Sequence, residues 1–196
     1  EFRDINEFYD LFFKEVKKIN YKNFLEQYSK YSKLNYLSAF PFYSENDKWF
    51  RYIRDQYLSV EQYNQIMNTL MQKRSFNLDL AKRNLWMTEQ NLLNIESKGH
   101  LIGLHSYSHP TQMSKLSESE QELEYQTNYD HLTNLIGKPI TMMSHPCGDY
   151  NETTLKILGK INIQIGFRSN MSETKILSSL EIPREDHTNV FEEMQK

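Results

Sequence analysis

Two histidines four residues apart, His105 and His109, are the residues whose type and spacing point most directly to chemistry. They follow a short apolar segment, 101–104, which is bracketed by glycines and predicts a buried strand. Neutral imidazole is a common ligand of divalent metal ions, and α/β folds place their chemistry at the carboxyl ends of strands. A catalytic metal normally has three protein ligands, so a third is expected from elsewhere in the chain. The alternative is that both are ordinary surface or core histidines.

A second polar group follows the next predicted strand, 140–143, and is expected at the same edge of the sheet. Its candidate substrate-binding residues are His145, Pro146, Gly148 and Tyr150. The competing interpretation is a Pro-Gly turn that Asp149 caps. Cys147 lies in the same turn, and we interpret it as a small buried residue because no cation or helix N-terminus is evident that would activate its thiol.

A third group combines a fixed cation, carboxylates and a histidine over residues 184–187. His187 is a candidate general acid, and Arg184 or Asp186 is a candidate to orient a partner group. Arg168 follows the predicted strand 161–167, and its guanidinium group is expected at the same edge. The alternative is a polar loop without a catalytic role.

Periodicity and capping residues predict the elements that must position these groups. Apolar residues recur at helical spacing over 4–18 and 21–33. Further helices are predicted after the capping residues Ser59, Thr88, Ser117 and Asn151. Strands are predicted over 34–40, where Pro41 ends the run, and over 101–104, 140–143 and 161–167, with a last one ending at Ile182. Alternating strands and helices are typical of an α/β fold with a parallel sheet, open or closed into a barrel.

Length and composition exclude several classes of protein. The 196 residues are enough for one domain, which we take to span 1–196 with a helical insertion at 42–82. The net charge of -3 gives no basic footprint, so nucleic acid is not an expected partner. No apolar run is long enough to cross a bilayer. The single cysteine and the lack of a secretory segment favour the cytoplasm, with association with the cell envelope as the alternative.

Three stretches of the sequence carry a resemblance to a known family: LWMTEQ at 85–90, GHLIGLHSYSHP at 99–110 and SHPCGDYN at 144–151. They are similar to the polysaccharide deacetylase (NodB-homology) superfamily, whose His-Ser/Thr-x-x-His metal motif matches the second stretch. The third stretch resembles that family's Arg-x-Pro-x-Gly turn, which forms one wall of the substrate groove. The resemblance covers most of the chain, from residue 34 to residue 187.

The resemblance implies a distorted (β/α) barrel, here with the helical insertion placed before the histidine motif. It also implies a divalent metal, zinc by preference, held by an aspartate and two histidines, which His105 and His109 match. A second aspartate would act as base, and His187 is the candidate for the late histidine that protonates the leaving amine. Pro146 and Gly148 would shape the groove.

Two departures from the family pattern concern catalysis. The first motif of the family, Thr-Phe-Asp-Asp-Gly, is not found, and residues 16–20 stand in its place without a carboxylate. Three explanations stay open: loss of the motif, a segment absent from the sequence between Asn20 and Tyr21, or recruitment of another carboxylate such as Asp149 or Asp186. Ser144 replaces the arginine of the third motif, and Arg168 or Arg184 is a candidate to substitute for it.

The expected function is metal-dependent removal of an acetyl group from an N-acetylated sugar of a cell-envelope glycan or its precursor. One alternative is a catalytically impaired pseudoenzyme of the same fold that binds carbohydrate. Another is a metal-dependent hydrolase of a different amide or ester. The sequence does not predict the oligomeric state.

Overall fold

The computed structural model describes residues 4–38, 40, 42–169, 171 and 173–195. The chain divides into two compact units, Glu1–Leu85 and Trp86–Lys196. Residues 42–82 belong to the first unit, and the arrangement as a single domain with a helical insertion stays a prediction. In the described part of the chain, no helix is long and apolar enough to span a membrane.

The first unit is built from helices. They are α1 (Ile5–Ile19), α2 (Tyr21–Tyr31), α3 (Glu45–Tyr52), which continues into a π-helical turn (Ile53–Tyr57), α4 (Val60–Lys73) and α5 (Leu78–Leu85). Side-chain caps fix four of the helix starts, at Asp4, Asn20, Ser44 and Ser59. The apolar faces meet in an aromatic core in which the Trp49 ring contacts Phe24 and Tyr31.

The strand predicted over 34–40 is wrong for the residues that the structure describes. Residues 36–38 form turns, Leu37 has a left-handed φ of 54°, and the Ser38 amide donates to the carbonyl of Asn35. Asn and Ser favour turns, and this prediction overlooked that signal inside a short apolar run. Ala39 and Pro41 lie outside the described residues. Residues 16–19, which stand where the first family motif was expected, end helix α1 instead of a strand.

The second unit combines helices with short parallel strands. Its elements are α6 (Glu89–Ser97), a 3-10 turn (Met113–Lys115), α7 (Glu118–Ile136), β1 (Met142–Ser144), a second 3-10 turn (Pro146–Gly148), α8 (Glu152–Lys160), β2 (Ile165–Phe167) and α9 (His187–Glu193). Strands β1 and β2 pair in parallel, with Met143 opposite Gly166. Helix α8 supplies the crossover that a parallel pair requires.

Two isolated bridges extend this parallel pair on both sides. Leu104 pairs with Met143 of β1, and Ile182 pairs with Phe167 of β2, each in the parallel sense. The order across the sheet is therefore Leu104, β1, β2 and Ile182. The predicted strand 101–104 is reduced to Leu104, and Leu101 is 71% exposed.

The predicted barrel is not confirmed. The described residues contain two strands and two bridges, in a structure that is mostly helical. Parallel pairing with a helical crossover is nevertheless present around a buried core. Its fully buried members include Leu104, Tyr125, Met143, Ile157 and Leu158.

Candidate functional site

The parallel order brings the predicted site residues to one edge of the second unit. Leu104, β1, β2 and Ile182 run in the same direction, so the residues that follow them emerge at the same side. His105 follows Leu104, and Arg168 follows β2. The site residues that follow β1 and Ile182 are His145 and Arg184. Three sequence-predicted groups therefore share this edge.

The two imidazoles of the histidine motif lie side by side. Their ring centroids are 4.8 Å apart with an angle of 64° between the planes. His105 Nδ1 lies 2.9 Å from the carbonyl oxygen of Ser144. A carbonyl only accepts hydrogen bonds, so Nδ1 carries the proton and the lone pair of His105 Nε2 is left for a ligand.

Although His105 is exposed as a residue, partial burial of its ring lowers its pKa, and positive charge at His109 and Arg184 acts in the same direction. The hydrogen bond to the Ser144 carbonyl opposes this shift. A lowered pKa keeps the ring neutral at pH 7, which is the form that binds a metal ion. The local electrostatics therefore favour the ligand form of His105.

The loop between the two histidines has an unusual backbone. Ser106 and His109 both adopt left-handed φ angles, 60° and 58°, although neither is glycine. Each such residue costs about 1–2 kcal/mol, and strain of this kind is concentrated at functional sites. The buried Ser106 hydroxyl accepts a hydrogen bond of 3.1 Å from the His109 amide, which closes the turn.

Helix α7 holds this loop through two side chains that the sequence analysis missed. Asn128 Oδ1 accepts from the His105 amide at 3.0 Å. The Glu124 carboxylate accepts from the amides of Tyr107 and Ser108 and from the Ser108 hydroxyl. The available signal was a pair of polar residues one helical turn apart on a predicted amphipathic helix.

The two histidines fit two positions of a metal site, but the described residues do not complete it. No group of three or more His, Cys, Asp or Glu side chains within the described ranges is arranged to hold a metal ion. Asp149, one proposed substitute, accepts from the Ser114 amide and hydroxyl at 2.8 and 2.9 Å. Asp186, the other, caps α9 through the Thr188 amide. We therefore derive no catalytic step through a metal from this geometry.

The second predicted group forms a buried wall rather than a set of exposed contacts. His145 is 0% exposed, its Nε2 donates to the Leu180 carbonyl at 2.8 Å, and its ring stacks on Tyr150 with centroids 4.1 Å apart. The Tyr150 hydroxyl donates to Glu181 at 2.9 Å. Pro146 is also buried, and Gly148 has a left-handed φ of 68°. In this structure His145 and Pro146 are buried, and their contact with substrate stays a prediction.

The two arginines at the edge have different environments. Arg184 is exposed, and its Nη1 donates to the Ser144 hydroxyl at 3.4 Å. Arg168 is buried, and its guanidinium donates to the backbone carbonyls of Glu173 and Lys175. Arg184 is therefore the better placed of the two to substitute for the arginine that Ser144 replaces.

His187 is an exposed residue at the start of a helix. It is the first residue of α9, its side chain is 95% exposed, and its Nδ1 lies 3.4 Å from a carboxylate oxygen of Asp186. Its role as general acid stays a prediction.

The buried His145 ring makes the stability of the second unit depend on pH. Burial lowers the pKa of His145 below the ordinary value of 6.5. Below that value the unfolded chain takes up a proton that the native ring does not, so we expect stability to fall as the pH drops below about 6.5. His145→Gln should flatten this dependence by at most about 1.4 kcal/mol per pH unit in urea unfolding, because one titrating group is removed. An unchanged slope between pH 7 and pH 5 would contradict the assignment.

Comparison with known proteins decides the family. The family model for polysaccharide deacetylase matches residues 55–166, more than half of the chain. The chain belongs to the polysaccharide deacetylase family. The resemblance of the histidine and Pro-x-Gly motifs to this family is thereby confirmed, and both motifs lie inside the matched range.

Several solved structures are also similar to this member of the polysaccharide deacetylase family. The Streptococcus pyogenes deacetylase PplD in complex with acetate is 22% identical with a TM-score of 0.46, over 56% of this chain and 51% of that one. The BpsB deacetylase domain from Bordetella bronchiseptica is 15% identical with a TM-score of 0.45, over 51% and 48%. IcaB from Ammonifex degensii is 17% identical with a TM-score of 0.45, over 50% and 46%. The chain thus spans about half the length of these structures. No curated protein gives a significant match.

Proposed function

We propose that this chain removes the acetyl group from an N-acetylated sugar of a cell-envelope glycan or its precursor. Membership of the polysaccharide deacetylase family supports the reaction class. The observation that carries the proposal is the His105 and His109 pair, in which the Ser144 carbonyl fixes the tautomer of His105. Such a pair is suited to hold a divalent metal, and an imidazole oriented by a backbone carbonyl is the usual arrangement of a metal ligand.

In this proposal His105 and His109 hold the metal, zinc by preference, together with a carboxylate that the described residues do not place beside them. A bound divalent ion would supply Lewis-acid polarisation of the acetamide carbonyl and a more acidic water. His105 supplies a nitrogen donor, and its lowered pKa keeps that donor available at pH 7.

Arg184 and His187 receive the remaining roles. The exposed guanidinium of Arg184 is a fixed positive charge beside Ser144, suited to stabilise the negative carbonyl oxygen that develops when water adds to the acetamide carbon. When the carbon–nitrogen bond then breaks, the amine nitrogen must gain a proton, and His187 is the proposed donor. The attacking water gives one proton to a carboxylate base that the described residues do not place at the pair, and its hydroxyl stays on the carbon. The products are therefore acetate and the free amino sugar.

Binding without catalysis is the second candidate function, and one observation favours it. The described residues supply two metal ligands where a catalytic zinc site uses three. A carbohydrate-binding pseudoenzyme would bind the same sugar, release no acetate and be unaffected by His105→Ala. A hydrolase of another amide or ester is the third possibility, and the range of substrates distinguishes it.

The test measures acetate released from N-acetylglucosamine oligomers, an acetylated xylan and an acetylated peptide, each with added zinc or cobalt and with EDTA. We expect metal-dependent release from the N-acetylated sugar. Release from the xylan or the peptide alone would support the third function. Sugar binding detected by calorimetry without acetate release would support the second function. The absence of both sugar binding and acetate release would overturn the proposal.

A further inference from the structure

One face of helix α7 carries two side chains that accept hydrogen bonds from the histidine loop, residues 105–109. Glu124 and Asn128 are four residues apart, so they lie one above the other on the helix. Asn128 Oδ1 accepts from the amide of His105, where the loop begins. Glu124 accepts from the middle of the loop. Together these hydrogen bonds hold the loop between His105 and His109.

Both oxygens of the Glu124 carboxylate accept hydrogen bonds from this segment. Its Oε2 accepts from the amides of Tyr107 and Ser108 at 3.0 and 2.8 Å, and its Oε1 accepts from the Ser108 hydroxyl at 2.6 Å. Hydrogen bonds to an ionised acceptor are stronger than neutral ones. Because both oxygens are directed at the loop, these bonds also argue against Glu124 as the absent metal ligand.

The loop needs such support because its own contacts are few. Ser106 and His109 sit in left-handed backbone conformations at either end of the Glu124 contact. Inside the loop, the Ser106 hydroxyl accepts from the His109 amide. Fixing consecutive amides on one carboxylate sets the curvature between the two imidazoles, and hence the distance between them.

We propose that Glu124 and Asn128 are positioning residues that set the spacing of His105 and His109 for ligand binding. This inference rests on the proposed function, since it assigns the pair of imidazoles a ligand to hold. The two residues would touch neither substrate nor metal and would act through the backbone of the loop.

The test compares Glu124→Gln, Asn128→Ala and Asn128→Asp with wild type. Gln offers one acceptor oxygen and presents an amide donor to the loop, so Glu124→Gln should speed hydrogen exchange at Tyr107 and Ser108 by at least about tenfold. Asn128→Ala should do the same at His105, while Asn128→Asp keeps an acceptor there and should rescue it. Asp130→Asn, which removes one carboxylate from an exposed position of the same helix, is the matched control.

The environment of the two rings is followed separately by the nitrogen chemical shifts of His105 and His109, and their capacity to hold a ligand by titration with zinc chloride. We expect altered ring shifts and zinc binding weakened about 10- to 100-fold in Glu124→Gln and Asn128→Ala, as for other residues that orient metal ligands. Unchanged exchange and ring shifts in both variants would overturn the inference. If wild type binds no zinc, the proposed function fails. The exchange and ring-shift data then still decide whether α7 determines the conformation of the histidine loop.

Discussion

Replacing His105 or His109 by alanine should reduce acetate release by at least about a hundredfold, because either change removes half of the imidazole pair. A metal acting as a Lewis acid contributes several kcal/mol to transition-state stabilisation, and each 1.4 kcal/mol changes a rate tenfold. Loss of one ligand from a site with few ligands should also abolish zinc binding at micromolar concentration. Acetate release and zinc calorimetry on the same preparations measure both effects.

The control for these variants is His131→Ala. His131 lies exposed on α7, so its loss changes the histidine content without touching the loop. The two motif variants should unfold close to wild type, since His105 and His109 are both exposed residues outside the apolar core of the second unit. Wild-type acetate release in both His105→Ala and His109→Ala would show that the pair has no catalytic role. Zinc binding that survives in both would show that the metal lies elsewhere.

Capping residues made the helices of the second unit predictable from sequence. Thr88, Ser117 and Asn151 each form a capping box at the predicted start of a helix, and Gly137 ends α7 with a φ of 76°. These signals are local, because a cap satisfies amides of the turn that follows it. The alternation of helices and strands also predicted that the residues after successive strands share one edge, whereas the order of those strands comes from the structure.

The strands and the support of the site were less predictable because they depend on distant partners. Residues 101–104 read as a strand, but only Leu104 has a neighbour to pair with. The apolar run at 34–40 lies in a unit whose described elements are helices, so it has no described strand beside it. Likewise, the sequence did not predict that Arg184 is exposed and Arg168 buried. It also did not predict that the Glu124 side chain of α7 faces the histidine loop.

Gly166→Ala is expected to destabilise the second unit by about 2–5 kcal/mol, the largest effect on stability that we predict. A methyl group on Gly166 would lie 2.5 Å from the Leu180 carbonyl oxygen and 2.9 Å from its Cα. Both are backbone atoms, and the segment is fixed by bonds from the Gly166 amide to Ser179 and from the Ile182 amide to Gly166. The clash therefore cannot be relieved by rotation of a side chain.

The same displacement should reach the candidate site. The Leu180 carbonyl is the acceptor for His145 Nε2, and His145 Nδ1 has no hydrogen-bond partner among the described residues. Moving Leu180 would leave a buried imidazole without a partner, which costs about 1–3 kcal/mol beyond the steric term. Arg184 follows the displaced Ile182, so acetate release should fall even where Gly166→Ala remains folded.

Urea unfolding followed by circular dichroism measures the effect, with Gly159→Ala as the matched control. A methyl group at Gly159 of helix α8 meets no atom within 4 Å, so alanine there should stabilise the helix by about 0.5–1 kcal/mol. The two substitutions add the same atom to the same unit and are expected to shift stability in opposite directions. If Gly166→Ala unfolds like wild type, the close approach of β2 to the 178–182 segment is wrong, and with it the route by which Arg184 and His145 are held at the same edge.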